Sequence, residues 1–421
     1  MNFEIPGAAR ALTIATIAFA ANFSVWTLYA VLGLELQNSL SLSATQLGLF
    51  FSAPVLTGAL GRIPAGWLSE RYNPKSLFTL QMLLSTPPLF ILPHIETLEG
   101  YLLLGLWIGI SGTSFTIGIR YITDWFESNR QGTAMGIFGA GNTGSAITLA
   151  LAPIIVANWG WDSIGPIYGV GLLIMAFLFW LIAPTRPYTP TKLQAELSTL
   201  QALKSIQIWR FGLYYYFVFG SFLALILWLP QYYASAYKLS YSQAMAFTLF
   251  FVATSGMVRA LGGWFADRYG GRTVNWAVFW ICLVCLFFLC YPPTTMTIHG
   301  VHQDVELAIE INVWFFSTLI FIIGIAQGFG RASVYKTIHE YYPQQMGLVG
   351  GLVAAIGALG GCTLPIAFGL AVDWIGIHSA CFMVLYGVLA CCMTVMFLAI
   401  KTDRFNQRVQ HATSHNFLDD D

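Results

Sequence analysis

Two arginines stand alone inside long apolar runs, and their surroundings repeat. The first lies in Arg62-Ile-Pro-Ala-Gly66-Trp-Leu-Ser-Glu70-Arg71-Tyr-Asn73-Pro-Lys75. The second lies in Arg259-Ala-Leu-Gly-Gly263-Trp-Phe-Ala-Asp267-Arg268-Tyr-Gly270-Gly-Arg272. One offset of 197 residues aligns Arg62 with Arg259, Gly66 with Gly263, Glu70 with Asp267, Arg71 with Arg268 and Lys75 with Arg272. Each arginine precedes its carboxylate by eight residues, about 12 Å along a helix. Both therefore fall at one depth inside an apolar layer, where a guanidinium is costly and by default marks a function. Guanidinium is planar and permanently charged, with paired donors that match a planar oxyanion. The plainer alternative is a structural arginine satisfied by backbone carbonyls.

The elements that carry these residues must span a membrane. Hydrophobic residues make up 57% of the 421, aromatic residues 15% and charged residues only 9%, against about a quarter charged in soluble domains. The net charge is zero, which gives no footing for nucleic acid. The seven cysteines (Cys282, Cys285, Cys290, Cys362, Cys381, Cys391, Cys392) lie in apolar runs. Cys282-x-x-Cys285 reads as helix core, with neither a disulfide framework nor a metal site implied. His299 and His302 with Asp304 read as a solvated outer loop rather than metal ligands. Met1 to Ala21 loosely resembles a signal peptide, but the apolar run continues to Leu34 and is long enough to span.

Twelve apolar segments follow, near 11–34, 46–69, 76–94, 100–124, 132–156, 164–184, 211–232, 242–266, 274–292, 311–335, 346–369 and 378–400. The expected organisation is an all-α membrane protein: a six-helix bundle over 1–184, a cytoplasmic linker over 185–208 and a second bundle over 209–401. A disordered polar tail, ending in Asp419, Asp420 and Asp421, is expected over 402–421. Arg10, Arg71, Lys75, Arg130, Arg186, Lys192, Lys204, Arg210, Arg268, Arg272, Lys401, Arg404 and Arg408 fall on one side of this arrangement. The other side has Lys238 with Glu35, Glu96, Glu99, Asp162, Asp304, Glu306 and Asp373. The positive-inside rule then puts both termini in the cytoplasm.

Segments two and eight run in the same direction, so the halves are parallel repeats. A second register supports them: an offset of 216 aligns Arg120 with Lys336, Gly141 with Gly357 and Gly144 with Gly360. The acid–base clusters Glu70–Arg71 and Asp267–Arg268 with Arg272 suit a gating latch between halves, or else a plain positive-inside cluster. Gly139, Gly141, Gly144, Gly357 and Gly360 make flat helix faces for close packing. Asn142, among the first three, brings an amide able to serve a ligand. Arg120 and Lys336 lie toward the cytoplasmic ends, either snorkelling or lining an anion path.

Together these features resemble the nitrate/nitrite porter family of the major facilitator superfamily. Gly263-x-x-x-Asp267-Arg268-x-Gly270-x-Arg272 resembles the superfamily's loop motif, with Glu70 and Asn73 departing from it in the first copy. Arg62-Ile-Pro-Ala-Gly66 and its partner at Arg259 are similar to the family's arginine motifs. Tyr215-Tyr-Phe-Val-Phe219-Gly-Ser-Phe222 resembles its segment seven, which implies that Tyr215 and Phe219 line the site. Gly112-Thr-Ser-Phe115 resembles segment four and adds Phe115 as an aromatic wall, while Asn142 falls on a glycine-flanked asparagine. Gly330-Arg-Ala-Ser-Val-Tyr335-Lys336 looks like the lysine-containing segment ten of one branch, with Arg331 where that branch would have lysine.

The resemblance implies a nitrate/nitrite carrier in a bacterial inner membrane, a monomer among lipid, without cofactor or metal. It would work by rocking of two halves around an anion clamped by Arg62 and Arg259. Coupling is either nitrate/nitrite antiport or symport of nitrate with protons. A carrier of another small anion, such as a carboxylate, is the alternative on the same fold. No nucleophile–base pair suggests an enzyme.

Overall fold

The computed structural model describes residues 6–126, 131–186, 201, 203–299, 303–342 and 346–415. Arg130, Lys192, His302 and Asp419 to Asp421 lie outside them, as does most of the 185–208 linker. Twelve spans follow in order. They are α1 (Ala8–Ser39), α2 (Ala44–Ser69), α3 (Pro74–His94), α4 (Leu98–Thr123), α5 (Ala134–Trp159), α6 (Trp161–Ile182) and α7 (Ile206–Tyr237). Then α8 comes in two pieces, Tyr241–Met257 and Arg259–Tyr269, bent by 46°. The rest are α9 (Gly271–Leu289), α10 (Val313–Tyr341), α11 (Met346–Ile375) and α12 (Ala380–His415).

Local chemistry sets the starts of the two arginine helices. Ser43 Oγ accepts from the Gln46 N–H while Gln46 Oε1 accepts from the Ser43 N–H, a capping box at the start of α2. Ser240 and Gln243 build the same box at the start of α8, again 197 residues on. Farther along, α2 is interrupted at Gly61 and α8 at Val258. Interruptions at a similar level run through the neighbours. Residues Gly109–Thr113 of α4 and Ala140–Thr143 of α5 are 3-10 turns, and Tyr216–Gly220 of α7 is a π-bulge. Such irregular turns free backbone groups and re-aim side chains, and they cluster at functional sites.

The halves meet along α2 against α11, α5 against α8 and the Tyr29–Ser39 part of α1 against α7. Contact at the end carrying Glu35, Asp162 and Asp373 is tight enough to exclude side chains. A Cβ on Gly48 would sit 2.3 Å from the Pro365 carbonyl oxygen, and one on Gly369 would sit 2.2 Å from that of Ala44. Phe51 meets Trp228 and Trp161 meets Tyr241 across the same seam.

Two segments depart from expectation. The loop after α9 is a hairpin, β1 (Thr294–His299) paired antiparallel with β2 (Asp304–Ile309). Its Met296/Leu307 and Ile298/Val305 pairs alternate with Thr297/Glu306 and His299/Asp304, the period-two pattern of strands. These are the only strands among the described residues. The tail expected to be disordered from 402 instead continues α12 as helix to His415. No Gly or Pro interrupts 401–415, so nothing in the chain stops the helix there.

Candidate functional site

Each arginine occupies the first residue after a helix interruption, and each reaches into the opposite half. Arg62, 4% exposed, donates from Nη1 to the Ala354 carbonyl of α11 at 3.1 Å. Arg259, 8% exposed, donates from Nη1 to the Gly139 carbonyl of α5 at 3.4 Å. The acceptors occupy nearly equivalent places in the two glycine-rich helices, since an offset of 216 carries Gly139 to Ala355. Backbone carbonyls thus take part of each guanidinium's donor set, and Arg62 Nε has no partner. Among the described residues every buried charged side chain is an arginine: Arg62, Arg259 and Arg331.

Aromatic rings wall the Arg62 end. Its Cζ lies 5.4 Å from the Phe115 ring centroid, 5.5 Å from Trp26 and 5.7 Å from Phe219. Each such contact is worth about 0.5–2 kcal/mol, more as water is excluded. Tyr215 stacks on Phe219 at 5.2 Å and meets Tyr335 edge-on at 5.2 Å. Tyr335 donates to the Gly350 carbonyl and lies within electrostatic range of both Arg62 and Arg259. Asn142 is buried in the 3-10 turn that follows Gly139.

The glycines set these distances. A Cβ on Gly139 would lie 2.8 Å from the Arg259 Cζ, and one on Gly357 2.3 Å from the Tyr215 ring. Gly144 abuts the Ala20 carbonyl of α1 at 2.0 Å from such a Cβ, and Gly360 abuts Gly220 of α7 at 2.9 Å. Gly141 packs under Phe19. Glycine is therefore the residue that lets α5 and α11 pass so close to the arginines and to α1 and α7.

Comparison with known proteins places this arrangement. The model of the Major Facilitator Superfamily matches residues 14–303. A probable nitrate/nitrite antiporter, NarK1, of Thermus thermophilus is 34% identical, over 97% of this chain and 95% of its own. The chain belongs to the nitrate/nitrite porter family of that superfamily. A nitrite extrusion protein of Bacillus subtilis is 27% identical over 89% of this chain and 90% of its own. Among solved structures, a bacterial homologue of the human lysosomal transporter Spinster, inward-facing and occupied, superposes with a TM-score of 0.71. It covers 94% of this chain and 97% of its own at 17% identity, a likeness of fold. As a family member the chain is a multi-pass membrane carrier rather than an enzyme.

The remaining residues singled out in the sequence lie away from the arginine pair. Lys336 Nζ, partly exposed, pairs with the exposed Asp267 Oδ1 at 2.8 Å, both within the C-terminal half. Arg120 pairs with Asp124 one turn along α4, within the N-terminal half. Arg272 donates to the Tyr341 hydroxyl, while Arg71 lies 3.7 Å over Trp67 and Arg268 5.5 Å over Trp264. Glu70 closes α2 at the same end. The Arg120–Asp124 and Lys336–Asp267 pairs thus each lie within one half. A cap between halves does exist, at the opposite end. Asp373 at the end of α11 accepts from the Ala44 N–H at 3.1 Å, the Thr45 N–H at 2.8 Å and the Thr45 hydroxyl at 2.5 Å. In the sequence Asp373 is assigned only to the side of the membrane with few basic residues, Tyr335 and Arg331 appear only within the segment-ten resemblance, and Trp26 is not singled out.

Proposed function

We propose that the protein exchanges nitrate and nitrite across a bacterial inner membrane, with both termini cytoplasmic. The anion is clamped between Arg62 and Arg259 and walled by Phe115, Phe219 and Tyr215, with Asn142 beside it. One observation carries this reading: two symmetry-related arginines, buried at helix interruptions, without a carboxylate partner among the described ion pairs. A buried cation without a counter-charge is costly, and a bound anion supplies the missing charge. The planar fork suits a flat oxyanion of this size. Loaded and empty carriers then differ in how easily the halves rock, because the bound anion cancels the repulsion between the two cations.

Arg62→Lys and Arg259→Lys keep the charge and lose the fork. Each variant should raise the half-saturating nitrate concentration at least about tenfold in proteoliposome uptake, the worth of a lost charge-assisted hydrogen bond. Unchanged half-saturation in both would remove the clamp.

A further inference from the structure

That reading uses two of the three buried charges. The third, Arg331 in α10, is 0% exposed. Its Nη2 donates to the Ser255 carbonyl and Oγ, each at 2.7 Å, and its Nε to the Gln327 carbonyl at 3.4 Å. Its Cζ lies 4.0 Å over the Phe222 ring. Nη1 has no partner, and neither has Oε1 of Gln327 one turn away. It lies within electrostatic range of Arg259 and of Tyr215, two members of the proposed anion site. No described carboxylate forms an ion pair with it.

The internal repeat says what this position requires of the fold. The offset of 216 that aligns Gly141 with Gly357 carries Arg331 onto Phe115. The equivalent place in the N-terminal half is thus filled by a neutral ring, so packing there does not demand a charge. Tying α10 to the Ser255 carbonyl, just before the bend of α8, needs one neutral donor rather than a guanidinium. A permanent charge brought near Arg259 adds repulsion that an empty site leaves uncompensated.

We propose that Arg331 is a third anion-contacting arginine, donating through Nη1, so that the C-terminal half holds the oxyanion with two guanidiniums against one from the other half. Nη2 and Nε fix the side chain on Ser255 and Gln327, and Phe222 fixes the plane of the fork. The anion then stays with the C-terminal half as the halves rock. This inference rests on the proposed reading of the site as an anion carrier's.

The test is binding of nitrate and nitrite to the purified full chain, by calorimetry and by uptake kinetics, in Arg331→Phe and Arg331→Lys. Phenylalanine copies Phe115, keeps a ring on Phe222 and removes the charge. It should weaken both anions about 10- to 100-fold and raise KM with little change in kcat, as loss of a charge-assisted donor does. Lysine keeps the charge but cannot hold Ser255 and reach the anion together, and should weaken both about fivefold or more. Wild-type affinity in either folded variant overturns the proposal, and so does failure of both variants to fold, which would make the role structural. A wild-type chain that binds neither nitrate nor nitrite overturns the substrate reading instead. The same variants are then compared on formate, acetate and hydrogencarbonate, where equal affinities, or no binding at all, overturn the third contact as well.

Discussion

At the scale of single residues, Gly139 and Gly144 lie five apart on one helix and face different constraints. A Cβ at Gly139 would meet the mobile end of Arg259, whereas one at Gly144 would meet the fixed Ala20 carbonyl at 2.0 Å. Gly139→Ala should therefore displace the guanidinium and raise half-saturating nitrate several-fold, with a stability change under about 1 kcal/mol. Gly144→Ala should separate α5 from α1 and cost about 1–3 kcal/mol or more, read as a lower melting temperature. Equal melting temperatures for the two variants would contradict this division. The same contrast explains which residues of the proposed site are legible in sequence. Arg62 and Arg259 announce themselves because a charge in an apolar run recurs at a fixed offset. Arg331 repeats against Phe115, so the repeat hides it, and Trp26 and Tyr335 look like any aromatic of a helix core until their distances to the arginines are known.

Among elements, the starts of α2 and α8 were fixed by local chemistry, the Ser43–Gln46 and Ser240–Gln243 boxes. Their far-sided neighbour was not, because Asp373 lies 329 residues from Ala44 and no sequence period links them. The interruptions at Gly61 and Val258 were equally silent, since neither residue forbids helix; the turns there follow from how α2 and α8 pack. Strand alternation in Thr294–His299 and Asp304–Ile309 was present in the chain but short enough to pass for loop. Asp373 joins the halves only where they are in contact, so in the proposed rocking motion its bonds would stabilise that closed end and be lost on opening. Asp373→Ala removes a carboxylate cap on α2, worth about 1 kcal/mol. The closed population should fall about fivefold relative to the open one. Spin labels at the start of α2 and the end of α11 would report it as a longer distance component, and an unchanged distance distribution would exclude the cap as a latch.

For the whole molecule, the proposed coupling rests on the distribution of charge. The buried charged side chains among the described residues are three arginines, and no Asp, Glu or Lys is buried with them. Lys336, the group a proton-coupled scheme would use, is held at the surface end of its half by Asp267. Among the described residues the centre therefore offers cations to neutralise but no buried carboxylate or lysine to titrate. Two unit charges about 8 Å apart repel by about 2 kcal/mol at an effective dielectric near 20. If closing the empty site costs that much, a bound anion speeds interconversion by about 30-fold. Nitrate uptake into proteoliposomes should then rise at least about tenfold with nitrite inside, and an inward proton gradient should not replace the internal anion. The salt dependence of exchange should be slight, because the charges concerned are buried and weakly screened. Gradient-driven uptake into vesicles empty of anion would reverse the conclusion: protons, rather than a returning anion, would be compensating the arginines, and the Lys336–Asp267 pair would become the place to look for them.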